Sequence, residues 1–213
     1  MRTSVSDDEH RTNASDMRST ERFALLLLRS AKLLADGVEQ LCIVRDVSSG
    51  GVNLRIFHRL PAATEWRLES AAGNLIAMHH VWERDGEAGF HFDEPIDVSA
   101  FVAAKSPFPK RSVRLRVQHP ATLFRGGQEL QAVIHDISRQ GARIETSSRL
   151  AVGQKVQLKA RGLPDFEAIV RWRREPCYGL VFARLMTLEE LAQRCARLSR
   201  PISTEWRNKA SRS

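Results

Sequence analysis

The sequence contains two copies of one segment, offset by 90 positions, and this repeat restricts the fold more than any other feature. Residues 46–95 align with residues 136–185 without a gap. Residues of unlike chemical type recur at the same offset, among them Asp46, Ser48, Gly51, Trp82 and Gly89, which align with Asp136, Ser138, Gly141, Trp172 and Gly179. The period is too long for a solenoid repeat and matches a small domain. The chain therefore predicts two domains of one fold.

Apolar and polar residues alternate along short segments of both copies, as is typical of half-buried strands. These segments are 51–57, 141–146, 155–159, 167–173 and 178–182. About six strands per copy predict a closed or nearly closed antiparallel barrel. Residues 23–34 also have helical propensity, but the repeat partner of this segment contains Pro120 and indicates a strand. We predict that Trp82 and Trp172 are core or barrel-wall residues rather than residues that stack on a ligand.

A short helix is predicted after the strands of each copy. In the second copy Thr187 and Glu190 have the spacing of a capping box. In the first copy Asp97 takes the place of Thr187 and precedes a shorter helix that ends near Ala103. The predicted organisation is a disordered tail (1–17), a first barrel (18–103), a proline-containing linker (104–109), a second barrel with its helix (110–199) and a basic tail (200–213).

Charge is divided unequally between the two halves. Residues 1–103 contain 11 Lys and Arg against 16 Asp and Glu, a net charge of −5, whereas residues 104–213 contain 22 against 9, a net charge of +13. The second copy therefore has a positive field that favours anionic ligands. The sequence has no apolar run long enough to span a membrane and no secretory signal, so we expect a cytoplasmic protein.

Both copies contain the pattern Asp-x-Ser-x-x-Gly between two predicted strands. It is formed by Asp46, Ser48 and Gly51 in the first copy and by Asp136, Ser138 and Gly141 in the second. Asp and Ser side chains bond nearby backbone amides in tight turns, and Gly permits a close approach by another group. The pattern predicts a turn, and alone it does not establish a ligand site.

Cations precede the first strand of each copy. The first copy has Arg18 and Arg22, four positions apart, and the second has Lys110, Arg111 and Arg114. An arginine pair can bind a phosphate with both forks and can also donate to O6 and N7 of guanine. Lysine in the first position of the second copy keeps the charge but lacks the planar fork.

Together, the paired cations, the Asp-x-Ser-x-x-Gly pattern and a six-stranded barrel resemble the PilZ domain family. The resemblance covers most of the chain twice and implies two tandem six-stranded antiparallel barrels that bind the bacterial second messenger cyclic di-GMP. It implies that Lys110, Arg111 and Arg114 contact guanine and phosphate. Asp136 and Ser138 would bond the guanine edge and phosphate, and Gly141 would let the ligand lie against the backbone. We expect this site in the second copy. The first copy could offer a second site through Arg18, Arg22, Asp46, Ser48 and Gly51.

The resemblance implies a non-catalytic receptor, without cofactor, whose domains change arrangement on binding and signal to a protein partner. A protein-interaction adaptor with degenerate ligand sites is an alternative, because the charge division also fits an oligomer or an adaptor. A nucleic-acid-binding protein is a further one, because residues 171–174 combine arginines with a tryptophan. No catalytic or metal-binding residue is predicted, since the seven histidines and three cysteines show no metal spacing.

Overall fold

The computed structural model describes residues 23–70, 73–103 and 112–198. The first copy consists of β1 (Phe23–Ala35), β2 (Val38–Val47), β3 (Gly51–Ile56), β4 (Trp66–Glu69), β5 (Leu75–Arg84), β6 (Glu87–Phe92) and α1 (Val98–Ala103). The second consists of β7 (Arg114–Arg125), β8 (Gln128–Ser138), β9 (Gly141–Glu145), β10 (Lys155–Lys159), β11 (Phe166–Arg174), β12 (Cys177–Phe182) and α2 (Leu188–Leu198). The predicted tails and linker lie outside the described residues.

Each copy forms a closed barrel of six antiparallel strands, as predicted. The order around the first barrel is β1-β2-β3-β6-β5-β4, and the second has the equivalent order β7-β8-β9-β12-β11-β10. Pairing of β1 with β4, and of β7 with β10, closes the two sheets, so that neither has a free edge. The strand prediction for residues 23–34 is confirmed, because β1 pairs with both β2 and β4.

The repeat is also visible in irregularities of the strand pairing. In the first barrel the register shifts between His80 and Trp82, and Trp82 pairs with Gly89. In the second barrel the register shifts at the same point, and Trp172 pairs with Gly179. These β-bulges occupy equivalent places in the two copies, so they belong to the common fold.

Both predicted helices are present, each with the predicted residue at its N-terminus. Thr187 N donates to Glu190 Oε2 (2.8 Å), and Glu190 N donates to Thr187 Oγ1 (3.0 Å), which completes the capping box. The backbone hydrogen bond from Thr187 is the main cause that lowers the pKa of Glu190. In the first copy Ala100 N donates to Asp97 Oδ1 (3.1 Å). Within the described residues no helix is long and apolar enough to cross a membrane.

The two barrels contact each other through strand β2. Its residues Cys42 and Val44 point into the first barrel, whereas Leu41 is buried in the apolar core of the second. Glu39, on the same outer face as Leu41, is buried and bonds Arg116 of β7, and α2 also contacts β2. The residue equivalent to Leu41 in the second copy, Gln131, is exposed. The first barrel therefore contributes to the core of the second through a face that the second barrel leaves open.

Candidate ligand-binding site

Asp136 lies between two arginines on the outer surface of the second barrel. Arg114 Nη1 donates to Asp136 Oδ1 (2.6 Å), and Arg143 Nε donates to Asp136 Oδ2 (2.7 Å). The Asp136 side chain is 14% exposed, and that of each arginine is 43% exposed. A guanidinium has five N–H donors, so each arginine keeps donors for a ligand after it has bonded the carboxylate. Asp136 therefore fixes two cations side by side.

A groove of about 400 Å³ opens beside this cluster. Its volume lies within the range of small-molecule sites. The groove is lined by Ser112, Arg114, Asp136, Ser138, Gln140, Arg143, Arg171, Trp172, Gly179, Leu180 and Val181. Three arginines against one carboxylate give the lining an excess of positive charge, and Trp172 adds an aromatic surface. This lining fits a ligand that is both anionic and flat.

The β-bulge in β11 determines where Trp172 points. Inward and outward residues alternate up to Val170, which is fully buried, so strict alternation would turn Trp172 inward as well. The register shift inserts Arg171 as an extra residue, so that Arg171 and Trp172 are both exposed. Trp172 is 38% exposed, so of the two predicted locations, core and barrel wall, it takes the barrel wall. In the first barrel Trp82 is likewise only half-buried, and the Arg84 guanidinium lies 5.1 Å from its ring centroid.

Two glycines of the site are required by close packing. A Cβ on Gly179 would overlap the indole of Trp172, so this glycine lets the ring lie flat on the barrel. A Cβ on Gly141 would collide with the carbonyl oxygen of Leu180 on the neighbouring strand. Gly141 therefore has a packing role that is independent of any ligand.

The Asp-x-Ser-x-x-Gly pattern forms the predicted turn, here between β8 and β9. Ser138 Oγ donates to Gly141 O (3.2 Å) and accepts from Gln140 N (3.4 Å). Ser138 is buried, and these bonds use its O–H donor and one of its two lone pairs within the turn. A direct bond from Ser138 to a ligand remains a prediction.

The first barrel has the same turn but lacks two arginines at the positions that line the groove of the second. Asp46, Ser48 and Gly51 occupy equivalent positions, and Ser48 N donates to Gly51 O (2.9 Å). The position of Arg143 is taken by Asn53, whose Nδ2 donates to Glu87 Oε2 (2.9 Å). The position of Arg171 is taken by Val81. Two of the three arginines that line the groove of the second barrel thus have no cationic counterpart in the first.

The candidate groove contains some of the residues that the sequence indicates. Arg114, Asp136 and Ser138 line one groove, and Gly141 lies in the adjoining turn, whereas Arg18, Arg22, Lys110 and Arg111 lie outside the described residues. Arg143 and the exposure of Trp172 were not predicted, and Arg171 was considered only for nucleic-acid binding. The alternation of β9 was a usable signal, because it places Arg143 on the outer face beside the turn. The bulge in β11 left no comparable signal.

Comparison with known proteins assigns the second barrel to a family. The family model for the PilZ domain matches residues 109–198, which include β7 to β12, α2 and the whole Arg114–Asp136–Arg143 cluster. The second barrel is a PilZ domain. A search of the curated proteins found no match to the sequence.

Solved structures that match the chain include three bacterial proteins. The match to PlzA from Borreliella burgdorferi, in complex with c-di-GMP, covers 79% of this chain and 87% of PlzA, at 10% identity and a TM-score of 0.34. The match to YcgR from Escherichia coli, in complex with c-di-GMP, covers 85% of this chain and 87% of YcgR, at 13% identity and a TM-score of 0.31. The match to the Bacillus subtilis inhibitor of motility, MotI/DgrA, covers 88% of this chain and 100% of that protein, at 14% identity and a TM-score of 0.36. At such low scores the family assignment rests on the PilZ match alone.

Proposed function

We propose that this protein is a non-catalytic receptor for cyclic di-GMP and that the ligand binds in the groove of the PilZ domain. The observation that carries the proposal is the cluster in which Asp136 holds Arg114 and Arg143 side by side, at 2.6 and 2.7 Å. The cluster belongs to a domain whose family typically binds this nucleotide, and it lies in the half of the chain with a net charge of +13.

The chemistry of the ligand matches the lining of the groove. Cyclic di-GMP contains two phosphates, and each carries a negative charge that arginines neutralise through charge-assisted hydrogen bonds. It also contains two guanines, whose O6 and N7 accept a bidentate pair of hydrogen bonds from an arginine. The exposed indole of Trp172 offers a surface on which a base can stack.

Within this proposal Asp136 acts mainly on the arginines. Both of its oxygens already accept from Arg114 and Arg143. We therefore assign it the role of positioning the two guanidinium groups, in addition to the contact with the guanine edge that the family resemblance implies. Lys110 and Arg111 would add positive charge at the entrance of the domain, and Arg111 would supply the fork that Lys110 lacks.

The proposal includes a change in the arrangement of the two barrels. Arg114 lies two residues before Arg116 on the outer face of β7, and Arg116 bonds Glu39 of the first barrel. A ligand that draws Arg114 and the preceding residues onto the PilZ domain would act next to this contact. A ligand that binds one arrangement of the barrels more tightly than the other shifts the population toward the arrangement it binds more tightly. A protein partner would then respond to the arrangement that is favoured.

The test is calorimetric titration of the full-length protein with cyclic di-GMP. We expect saturable binding that is lost or strongly weakened in Arg114→Ala and Asp136→Ala. The matched control is Arg149→Ala, because Arg149 is an exposed arginine of the same domain that pairs with Glu175 and does not line the groove. Binding that persists in both site variants would move the site to the first copy, with Arg18, Arg22 and Asp46.

The same experiment decides the alternative function. If the unmodified protein does not bind cyclic di-GMP, the receptor proposal fails and an adaptor with degenerate ligand sites becomes the better description. Small-angle scattering with and without saturating nucleotide tests the rearrangement separately. Unchanged profiles at saturation would remove the rearrangement and leave the binding proposal intact.

A further inference from the structure

A second cluster of reactive side chains lies on the outer face of the PilZ domain, outside the groove. It consists of His135 on β8, Glu145 on β9 and Cys177 on β12. One donor atom of each residue lies within 4.8 Å of the others. The sequence separates these residues by 10 and 32 positions, so no local spacing pattern indicates them. The pairing of β9 with both β8 and β12 brings the three residues together.

A β-bulge places His135 in this cluster. The pairing of β8 with β9 shifts register between Ile134 and Asp136, which leaves His135 as the extra residue. His135 and Asp136 are therefore both partly exposed, between the buried Ile134 and Ile137. Asp136 bonds the arginines of the groove, and His135 Nε2 lies 2.7 Å from Glu145 Oε2. One irregularity of the strand thus supplies two neighbouring sites.

The donor set is one that binds a transition-metal ion. Imidazole nitrogen, thiolate sulfur and carboxylate oxygen are the three protein ligand types of zinc. Zn–N bonds of about 2.0–2.1 Å and Zn–S bonds of about 2.3 Å place tetrahedral donors about 3.3–3.6 Å apart. The donor atoms of the cluster require side-chain movements of the order of 1 Å to reach this geometry. Three protein ligands would leave the fourth position to water.

A residue next to the cluster completes the usual surroundings of a metal-binding histidine. Gln118 Nε2 lies 2.8 Å from His135 Nδ1, the ring nitrogen on the side away from Glu145. A metal-bound histidine carries a proton on its second nitrogen and donates it to a neighbouring acceptor. Rotation of the Gln118 amide by 180° presents its oxygen to that proton. In that orientation Gln118 can accept the Nδ1 proton of the tautomer in which Nε2 binds a metal.

The first barrel provides an internal comparison for this cluster. The positions equivalent to His135, Glu145 and Cys177 are Arg45, Arg55 and Glu87. Arg45 Nε and Glu87 Oε1 form an ion pair there, at 3.4 Å. The fold therefore does not require metal-binding side chains at these positions, and the first copy uses an ordinary ion pair.

We propose that His135, Glu145 and Cys177 form a site for a thiophilic divalent transition metal such as Zn²⁺. On binding, Cys177 Sγ releases its proton to solvent and the thiolate coordinates the ion. The site adjoins the nucleotide groove through the shared bulge, and it does not depend on whether the groove binds cyclic di-GMP.

The test uses Co²⁺ as a spectroscopic probe, added to the reduced, metal-free, full-length protein. We expect one equivalent of Co²⁺ to give a thiolate-to-cobalt charge-transfer band, and Zn²⁺ to displace the ion and abolish the band. Cys177→Ser removes the band, and His135→Gln and Glu145→Gln each lower the affinity by at least about tenfold. Gln118→Asn, which suits the positive φ of 44° at this residue, lowers it by about 10–100-fold with an unchanged band.

The control is His79→Gln in the first barrel. His79 Nδ1 lies 2.9 Å from Asp93 Oδ1, so it forms a histidine–carboxylate pair, but it is not part of the cluster of His135, Glu145 and Cys177. This variant keeps the wild-type affinity and the band. Absence of a band in the unmodified protein overturns the proposal. A band that survives Cys177→Ser does so too, because it would come from a ligand other than Cys177. Cys42 and Cys195 are buried in the barrel cores.

Discussion

Arg116 of the PilZ domain bonds one carboxylate of the first barrel, that of Glu39, through both its backbone and its side chain. Arg116 N donates to Glu39 Oε2 (2.9 Å), and Arg116 Nε donates to Glu39 Oε1 (2.7 Å). Lys32 Nζ approaches the same carboxylate to 3.5 Å. The Glu39 side chain is only 3% exposed. A buried anion held by cations from both barrels fixes their relative position.

The contact between Glu39 and Arg116 leads to a prediction about stability. Glu39→Ala removes charge-assisted hydrogen bonds and should lower the free energy of unfolding by about 1–3 kcal/mol. The released Arg116 is largely exposed and can hydrate, which limits the loss. Urea denaturation measures the change. The control is Glu65→Ala, whose exposed pair with Arg67 should contribute less than about 0.5 kcal/mol. Equal losses in the two variants would contradict a structural role for the inter-barrel contact.

Arg143→Asn gives the second barrel the residue that the first barrel has at the equivalent position, Asn53. The variant removes one of the two guanidinium groups that Asp136 holds and should weaken cyclic di-GMP binding by about 1–3 kcal/mol, or roughly 5- to 150-fold. The converse variant, Asn53→Arg, changes the first barrel only and should leave the affinity of the second-barrel site as it is. Calorimetric titration compares both with the unmodified protein. An Arg143→Asn variant that binds normally would exclude Arg143 from the site.

Gly179→Ala tests the position of Trp172. The added methyl group would overlap the indole and should displace the ring from the groove, at a cost of about 1–3 kcal/mol in the free energy of unfolding. Gly89→Ala displaces Trp82 in the first barrel by the same overlap, so it is a matched control. Both variants should lose similar stability, but only Gly179→Ala should lose affinity for the nucleotide. If Gly179→Ala and Gly89→Ala bind the nucleotide with equal affinity, the Trp172 indole makes no contact with the ligand.

The buried thiols predict a loss of stability in alkaline solution. Burial raises the pKa of Cys42 and of Cys195 from 9.0 to about 12. Since the pKa is higher in the folded state, each thiol stabilises the fold below about pH 9, and this contribution declines as the pH rises toward 12 by about 1.4 kcal/mol per pH unit. Urea denaturation between pH 8 and about pH 11 measures the decline. Cys42→Ala should reduce its slope, and an unchanged slope would exclude Cys42 as a cause.

Much of the fold could be predicted because the repeat supplied two independent versions of each element. Residues 23–34 have helical propensity, yet Pro120 in the partner segment indicated a strand, and pairing across the barrel confirms it. Local patterns also identified both helices, since capping by Thr187 and Asp97 involves residues close in sequence.

The irregular parts of the strands could not be predicted in the same way. A β-bulge depends on how two strands are paired, and a single strand carries no sign of the extra residue. For this reason the exposure of Trp172 beside Arg171 was not predicted, and neither was the cluster of His135 with Cys177. The alternation of β9 places Arg143 on the outer face, but its bond to Asp136 joins two strands and was not predicted.

The burial of Leu41 in the second barrel means that the limits of the family match are not those of an autonomous folding unit. A fragment cut at residue 109 would expose an apolar hollow where this leucine inserts, and such a surface promotes aggregation. The two barrels are therefore expected to melt as one cooperative block. Dissection of the chain into separate domains should begin with substitutes for Leu41 and for Phe57, which also packs against this core.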